Sequence, residues 1–304
     1  MNGFINILKP PGMSSAAVVS FVKRITKEKR VGHAGTLDPE AAGVLPVMVG
    51  RATRLFDFLV EKQKVYVAEA AFGCSTDTMD AQGTVLATGD DYPSEERILV
   101  ELQKLTGDIR QKPSMYSAIK KDGKPMYMRA RAGESVDVPE RVVHVDRIEP
   151  LGMKPGHGFL MRITCGRGTY IRSICDDLGR LCGCPCHMRF LERESTGPFL
   201  LDTAVTLEEA EAAMQEGRTD SVLLPLDYPL AHLRRLDIPE RLARLAENGG
   251  KLPAKALGAD ITEDEACRAY LSDRFAGIAA RQGDVLAWKL LIPREADEQA
   301  ETEK

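Results

Sequence analysis

Hydrophobic and polar positions along the chain fall into short segments of two kinds, and the two kinds are interspersed. Segments rich in β-branched and apolar residues predict strands at residues 5–8, 64–72, 142–148 and 159–165. Apolar residues at helical spacing predict helices at about residues 15–27, 94–107, 169–181 and 206–215. Because no regular strand–helix–strand period is present, the pattern predicts an α+β fold with a central antiparallel or mixed sheet and flanking helices and loops.

Turn-forming residues divide the chain into a large and a small unit. Thr206 and Glu209 have the spacing of a capping box, and the proline-containing segment at 223–229 closes the first unit. We therefore predict a domain over residues 1–229. A short helical stretch, a Gly249-Gly250 turn and β-like runs at 275–279 and 285–288 then predict a small β-rich domain over residues 230–293. Residues 294–304 form a charged tail that we expect to fray.

The composition is that of an ordinary globular protein, with 43% hydrophobic and 28% charged residues. No apolar run approaches the roughly 18 residues that span a membrane, and the N-terminus lacks a secretory pattern. We therefore expect a cytoplasmic protein without a membrane partner. Seven cysteines, an odd number, favour reduced thiols over a disulfide framework. The cluster at 182–186 lacks the usual spacing of zinc ligands, so we predict no metal site there.

Charge is unevenly distributed on a chain whose net charge is −4. Basic residues gather at 22–30 and at 110–131, whereas acidic residues gather at 208–216 and in the tail. Local basic patches on an acidic protein suit the docking of a polyanion. The alternative interpretation is a solvated surface on which charges cluster by chance.

The most distinctive loop, residues 31–50, is rich in Gly, Pro and Ala and contains Asp38 directly before Pro39. A residue that precedes proline is pushed towards an extended backbone, from which a carboxylate can project into a cleft. The alternatives are an Asx-turn or a helix cap for Asp38, and a simple hydrogen-bonding role for the nearby His33. The Gly166–Thr169 turn before a helix could bind phosphate, but a tight strand-to-helix connection explains it equally well.

The string G-H-A-G-T-L-D-P-E-A-A-G-V-L-P at residues 32–46 resembles the catalytic motif of TruB-type pseudouridine synthases. Further similarities follow in the order of that family and cover about residues 3–229. They are I-N-I-L-K-P-P-G-M-S-S at 5–15, K-V-Y at 64–66, D-T-M-D-A-Q-G at 77–83, Q-K-P-S-M-Y-S-A at 111–118 and G-T-Y-I-R at 168–172.

This resemblance implies a role for individual residues. Asp38 would be the catalytic aspartate, Arg172 would pair with it, and Tyr66 would stack on the flipped base near its carbon 5. His33 would help to place the nucleotide, and Tyr170 and Leu191 would line the uridine pocket. The stretch 110–131 would be an insertion that grips RNA. The implied RNA contacts are Lys9, Lys120, Lys121, Lys124 and Arg129.

The resemblance also implies the pseudouridine synthase fold, a C-terminal RNA-binding domain of PUA type, and an activity. The enzyme would isomerise uridine to pseudouridine at position 55 in the T-loop of tRNA, after base flipping and without a cofactor. It would act as a monomer with no obligatory protein partner, and a tRNA-folding role could accompany catalysis. Whether the aspartate attacks the ribose or removes one of its protons stays open.

Three alternative functions remain at this stage, of which a phosphate- or dinucleotide-binding enzyme is a distant third that rests only on Gly166–Thr169. The chain could be a guide-RNA-dependent synthase that modifies rRNA, since such proteins share the aspartate motif. It could instead be an RNA chaperone or binding module that lacks catalysis, although the intact set of Asp38, Tyr66 and Arg172 argues against that.

Overall fold

The computed structural model describes residues 1–60, 62–113, 120–121, 124–126, 139–257 and 260–294. Arg129 and much of the basic segment 110–131 lie outside these residues. Lys120, Lys121 and Lys124 fall in two short strands, of which only the backbone is described. The prediction that these four residues contact RNA is therefore carried forward as a prediction.

Within the described residues, a nine-stranded mixed sheet forms the N-terminal unit. Its strands are β1 (Gly3–Lys9), β2 (Val31–His33), β3 (Ala42–Val49), β4 (Lys64–Phe72), β7 (Gly107–Gln111), β10 (Arg141–Lys154), β11 (Gly158–Cys165), β12 (Cys186–Thr196) and β13 (Phe199–Leu200). The main path runs β1-β3-β12-β4-β11-β10-β7, with β2 paired to β3 and β13 paired to β12. Among the described pairings of this sheet, only that of β3 with β12 is parallel.

Smaller strands and a second sheet complete the β-structure. Two hairpins are formed by β5 (Cys74–Thr76) with β6 (Val85–Thr88), and by β8 (Lys120–Lys121) with β9 (Lys124–Pro125). The second sheet contains β14 (Arg234–Ile238), β15 (Leu252–Pro253), β16 (Ala266–Leu271), β17 (Arg274–Gln282) and β18 (Val285–Leu291). These five strands of the described C-terminal residues follow the order β14-β16-β17-β18-β15.

Capping residues explain where several of the helices begin or end. Ser14 caps the first helix, Thr206 and Glu209 form the predicted capping box of another, and Gly183 ends a third with a left-handed backbone. The helices are α1 (Ser15–Thr26), α2 (Phe56–Val60), α3 (Glu95–Leu102), α4 (Ile171–Cys182), α5 (Leu207–Gln215) and α6 (Ala243–Glu247). None of the helices in the described part of the chain has both the length and the apolar character needed to cross a bilayer.

The predicted α+β fold is confirmed, including the central mixed sheet and the β-rich C-terminal unit. The strand predicted at residues 64–72 has the same bounds as β4. The helix predicted from Ser94 to Gly107 is shorter than expected. Its α-helical part ends at Leu102, and a 3-10 turn over Gln103–Leu105 then leads into β7.

A single hydrophobic cluster joins the two units. Phe4 and Phe199 of the N-terminal unit belong to the same buried cluster as Tyr270 and Ile278 of the C-terminal sheet. The Phe199 ring lies 5.6 Å from the Phe4 ring and 5.1 Å from the Tyr228 ring, between their centroids. The two units therefore share apolar surface that is removed from water.

We expect Phe199→Ala to lower the free energy of unfolding by about 3–5 kcal/mol, because it removes a fully buried ring from this cluster. Chemical denaturation measures the loss. Phe56→Ala is the matched control, since Phe56 is 41% exposed and its replacement is expected to change stability by no more than about 0.5 kcal/mol. Equal losses in the two variants would show that the cluster does not contribute as described.

Candidate active site

A cavity of about 250 Å³ opens at one end of the central strands of the mixed sheet. Its walls come from the loop before β3, from β4, from β12 and from the turn that precedes α4. Five of the residues predicted for the site line it together, namely Asp38, Tyr66, Tyr170, Arg172 and Leu191. Other lining residues are Gly35, Thr36, Leu37, Lys64, Arg141, Gly166, Arg167, Gly168, Thr169, Ile171 and Arg193.

The loop that carries Asp38 is fixed from both sides by hydrogen bonds to its backbone. The buried Ser15 hydroxyl donates to the Leu37 carbonyl over 3.0 Å and accepts from the Leu37 amide over 2.9 Å. After Asp38, the Pro39 carbonyl accepts from the Gly12 amide over 2.9 Å. The residues on either side of Asp38 are thus held by the N-terminal segment, which leaves the carboxylate free to face the cavity.

Arg172 holds the Asp38 carboxylate with two hydrogen-bonded contacts. Its Nε lies 3.0 Å from Oδ2 and its Nη2 lies 3.1 Å from Oδ1. The guanidinium is almost fully buried, whereas the Asp38 side chain keeps 31% of its surface exposed. Because two parallel contacts fix both distance and plane, the carboxylate is presented to the cavity in one orientation.

The Asp77–Gly83 turn supports the far side of the same guanidinium. Arg172 Nη1 donates to the Thr78 carbonyl over 3.0 Å and lies 3.7 Å from Asp80 Oδ2. The other Asp80 oxygen accepts from the Thr78 hydroxyl over 2.6 Å. Arg172 therefore lies between two carboxylates, one of which faces the cavity and one of which belongs to the turn.

Burial and the neighbouring charges shift the pKa of Asp38 in opposite directions. Burial raises the pKa of Asp38 most strongly, the charge of Arg172 lowers it, and the like charge of Asp80 raises it again. The net result is a pKa for Asp38 above its ordinary value. The ionised form of Asp38 is therefore lost as the pH falls through this raised pKa.

Two neighbouring strands present the apolar face of the cavity. Tyr66 on β4 is paired in register with Arg193 on β12, and Ala68 is paired with Leu191. Tyr66 and Leu191 are both buried, with 7% of their surface exposed. Since alternate residues of a strand share a face, Leu191 and Arg193 both lie on the cavity side of β12.

Tyr170 also lines the cavity, at the start of α4. The buried Gln111 side chain holds its backbone by accepting from the Tyr170 amide over 3.0 Å and donating to its carbonyl over 3.2 Å. The Arg141 guanidinium lies 4.5 Å from the centre of the Tyr170 ring and donates to the Gly168 carbonyl over 2.6 Å. The Gly166–Thr169 turn is thus a tight strand-to-helix connection that also borders the cavity.

Lys9 makes its contacts inside the protein. It is fully buried, and its Nζ donates to the carbonyls of Pro10, Met13 and Pro39 over 2.6–2.8 Å. All three ammonium donors are therefore used inside the protein. Burial lowers the pKa of Lys9 to about 8. Lys9 therefore supports the Asp38 loop through the Pro39 carbonyl, and the RNA contact expected of Lys9 stays a prediction.

His33 lies at the end of β2, near the loop but not among the residues that line the cavity. Its Nδ1 is buried and has no hydrogen-bond partner among the described residues. Burial and then the charge of Arg193 lower the pKa of His33, so the neutral imidazole is favoured. Its implied part in placing a nucleotide stays a prediction.

Several site residues were missed from the sequence. Arg193 is fully buried yet borders the cavity, and Arg141, Arg167 and Lys64 add further positive charge to the lining. The one available signal was the position of Arg193, two residues after Leu191, since alternate residues of a strand share a face. Asp80 lay within a recognised string, but nothing local indicated that it would face Arg172.

The thiols are outside the cavity. All seven cysteines are free, and burial raises the pKa of Cys182, Cys184 and Cys186. Thiols held in the protonated form are poor nucleophiles and poor metal ligands. Within the described ranges, no group of three or more His, Cys, Asp or Glu side chains is arranged to hold a metal ion.

The arrangement combines one oriented carboxylate, two aromatic walls and a ring of cationic groups. Such a cavity can enclose a flat polar ring between Tyr66 and Tyr170 while Asp38 acts on an adjoining atom. The cationic residues at its edge suit an anionic backbone that enters with the ring.

Comparison with known proteins identifies two matching family models. The model described as TruB family pseudouridylate synthase (N terminal domain) matches residues 23–171. The model described as tRNA pseudouridylate synthase B C-terminal domain matches residues 172–231. The matched ranges meet between Ile171 and Arg172, so together they contain Asp38, Tyr66, Tyr170, Arg172 and Leu191.

Curated relatives and solved structures agree with these models. The tRNA pseudouridine synthase B of Alkaliphilus oremlandii is 40% identical over 91% of this chain and 92% of the relative. The protein of the same name from Clostridioides difficile is 40% identical over 91% of this chain and 94% of its own length. A chain of a Cbf5-Nop10-Gar1 complex superposes with a TM-score of 0.74 and 26% identity, covering 96% of this chain and 86% of that one.

We expect Arg172→Lys to raise the pKa of Asp38 above its wild-type value. Lysine keeps the charge but loses the bidentate geometry that stabilises the carboxylate. A carbon-13 NMR titration of the aspartate carboxyl groups measures the shift, and the fully exposed Asp273 is the internal control. An unchanged or lowered pKa of Asp38 would contradict the role given to the two contacts.

Proposed function

This chain belongs to the TruB family of pseudouridylate synthases and is an enzyme that isomerises uridine to pseudouridine in tRNA, and we propose that Asp38 carries the reaction and that its target is uridine 55 of the T-loop. The observation that carries the proposal is the bidentate pair of Asp38 and Arg172 at the wall of a cavity bordered by Tyr66 and Tyr170. The reaction needs no external group because the product is an isomer of the substrate.

The proposed reaction begins with an extruded uridine. A base inside folded RNA is out of reach of a side chain, so it must leave its stack and enter the pocket. Tyr66 and Leu191 provide the buried face against which the base packs, and Tyr170 closes the other side. Asp38, held by Arg172, then lies beside the ribose.

Asp38 acts in its ionised form. It either attacks the ribose carbon or takes a proton from the sugar, and in both cases the bond between nitrogen and ribose breaks. The freed uracil turns and rejoins the ribose through carbon 5, whose hydrogen is released as a proton. Arg172 keeps the carboxylate ionised and in one plane throughout, because its two contacts favour the charged form.

We propose that the RNA backbone follows the cationic edge of the cavity towards the basic segment 110–131. Arg141 and Arg167 border the cavity on the side of the turn before α4. Lys120, Lys121, Lys124 and Arg129 extend this charge along the chain. The C-terminal five-stranded sheet would be the PUA-type RNA-binding domain, with domain limits at residues 1–229 and 230–293.

We further propose that the enzyme works in the cytoplasm as a monomer without a guide RNA or protein partner. Relatives with 40% identity carry the name of a tRNA enzyme, whereas the chain from a protein complex is only 26% identical. A T-stem-loop alone would then be a sufficient substrate. A tRNA-folding role can accompany this activity, because extrusion of the base requires the T-arm to open.

The proposal predicts that Asp38→Asn abolishes release of the carbon-5 hydrogen from a T-stem-loop uridine but retains RNA binding. The amide keeps the size of the side chain and lacks the negative charge that the reaction uses. Tritium release without added cofactor measures turnover, and filter binding measures affinity.

The matched control is Asp176→Asn. Asp176 is also a partly buried aspartate paired with an arginine, Arg180, but it lies on α4 away from the cavity lining. It should retain wild-type turnover. Full turnover by Asp38→Asn would overturn the proposal, and so would a wild-type enzyme that is inactive on this RNA.

A second prediction concerns the basic segment. Replacing Lys120, Lys121 and Lys124 together with Gln should weaken RNA binding and reduce the slope of log K against log salt. The slope should fall by about 0.7–0.9 for each phosphate contact that is lost. The control replaces the same three lysines with Arg, which keeps the charge and should keep the slope. Unchanged binding by the Gln variant would show that these residues do not contact RNA.

A further inference from the structure

Arg193 is a fully buried cation that none of the steps above uses. It is the largest of the fully buried side chains in the described part of the protein. Burial of a charge is unfavourable unless hydrogen bonds compensate for it. The partners that compensate for the charge of Arg193 therefore indicate what this residue does.

The hydrogen-bond partners of Arg193 lie before and after Asp38 in the chain. Nε donates to the Val44 carbonyl over 2.7 Å, and Nη2 donates to the Gly35 carbonyl over 3.2 Å. These carbonyls lie on the two sides of Asp38 in the sequence. Burial raises the pKa of Tyr66, and the nearby charge of Arg193 opposes that shift. Arg193 thus binds backbone carbonyls on both sides of Asp38 and is the strand partner of the tyrosine that faces the cavity.

The backbone of Arg193 also lies between the strand that carries Tyr66 and the strand that follows the Asp38 loop. Arg193 is paired in antiparallel register with Tyr66 and in parallel register with Gly43. Gly43 has a φ of +107°, and a Cβ placed on it would lie 2.3 Å from the Arg193 carbonyl oxygen. A glycine is therefore required for the strand after the loop to approach β12 this closely.

We propose that Arg193 is a positioning residue that fixes the Asp38 loop and Tyr66 relative to each other. This inference rests on the proposed function, since it assigns a role within the same reaction. Without the two donated hydrogen bonds, the Asp38 loop would lose its attachment to the strand pair that carries Tyr66. Catalysis depends on both groups meeting one nucleotide at the same time, so a small relative displacement reduces the rate strongly.

The test is single-turnover conversion of a T-stem-loop by Arg193→Lys. Lysine keeps the positive charge but cannot reproduce the two donations from Nε and Nη2, which go to carbonyls on different sides of Asp38 in the sequence. We expect the rate to fall about 100-fold, while the Kd for the RNA stays close to the wild-type value. A lower rate with an unchanged Kd indicates that Arg193 positions other groups. A loss of folded protein would instead reduce RNA binding as well.

Arg51→Lys is the matched control. Arg51 is also buried and donates to a backbone carbonyl, that of Pro293, over 2.6 Å. It does not border the cavity. Its replacement should lower the melting temperature without a comparable loss of rate. If Arg193→Lys does not fold, Arg193→Gln, which is neutral and retains an amide donor, is measured in the same way.

A double-mutant cycle with Tyr66→Phe tests the coupling itself. If Arg193 acts partly through the Tyr66 side chain, the factor by which Arg193→Lys lowers the rate will be smaller in the Tyr66→Phe background than in the wild type. The inference is overturned if the two factors are equal, or if Arg193→Lys loses no more rate than Arg51→Lys. A wild-type protein that fails to convert the RNA would instead overturn the proposed function, so the two failures are distinguishable.

Discussion

The ion pair between Asp38 and Arg172 sets the requirements that the surrounding structure meets. A carboxylate that is partly withdrawn from water needs a compensating charge, or it will bind a proton. Arg172 supplies that charge over 3.0 and 3.1 Å, and it is itself almost fully buried. Its Nη1 group donates to the Thr78 carbonyl as well. The pair is therefore stable only where the loop, α4 and the turn at residues 77–83 come together.

Two further buried cations act on the backbone of the same loop. Lys9 donates to the Pro39 carbonyl, after Asp38, and Arg193 donates to the Gly35 carbonyl, before it. Carbonyl oxygens satisfy these cations without neutralising them, which leaves positive charge beneath the cavity. This charge also acts at a distance, since Arg193 contributes to the lowered pKa of both His33 and Lys9.

The sequence allowed the elements of the fold to be predicted where periodicity and capping were clear. The bounds of β4 and the capping box of Thr206 with Glu209 are examples. The local sequence pattern alone was consistent with a turn or cap role for Asp38. Its catalytic role was predicted only from the resemblance to a family. The structure then brought Asp38, Tyr66, Tyr170, Arg172 and Leu191 to one cavity.

The remaining features depend on contacts between residues far apart in the sequence. Lys9 looked like an exposed basic residue beside a Pro-Pro-Gly turn, but the fold buries it against the Pro39 carbonyl. Arg193 looked like one charge among several at residues 192–194, whereas its register against Tyr66 and Gly43 places it beneath the loop. A local sequence pattern does not determine which strands pair with each other. The roles of Lys9 and Arg193 therefore could not be predicted from the sequence.

The central claim is that ionised Asp38 performs the reaction, and one pair of measurements tests it directly. The single-turnover rate on a T-stem-loop is measured against pH, and the pKa of Asp38 is measured by NMR on the enzyme bound to a T-stem-loop that lacks the reactive uridine. The account predicts that the rate falls on the acid side with a midpoint at the pKa of Asp38, which is raised above its ordinary value. A rate that stays constant while Asp38 takes up its proton would contradict it.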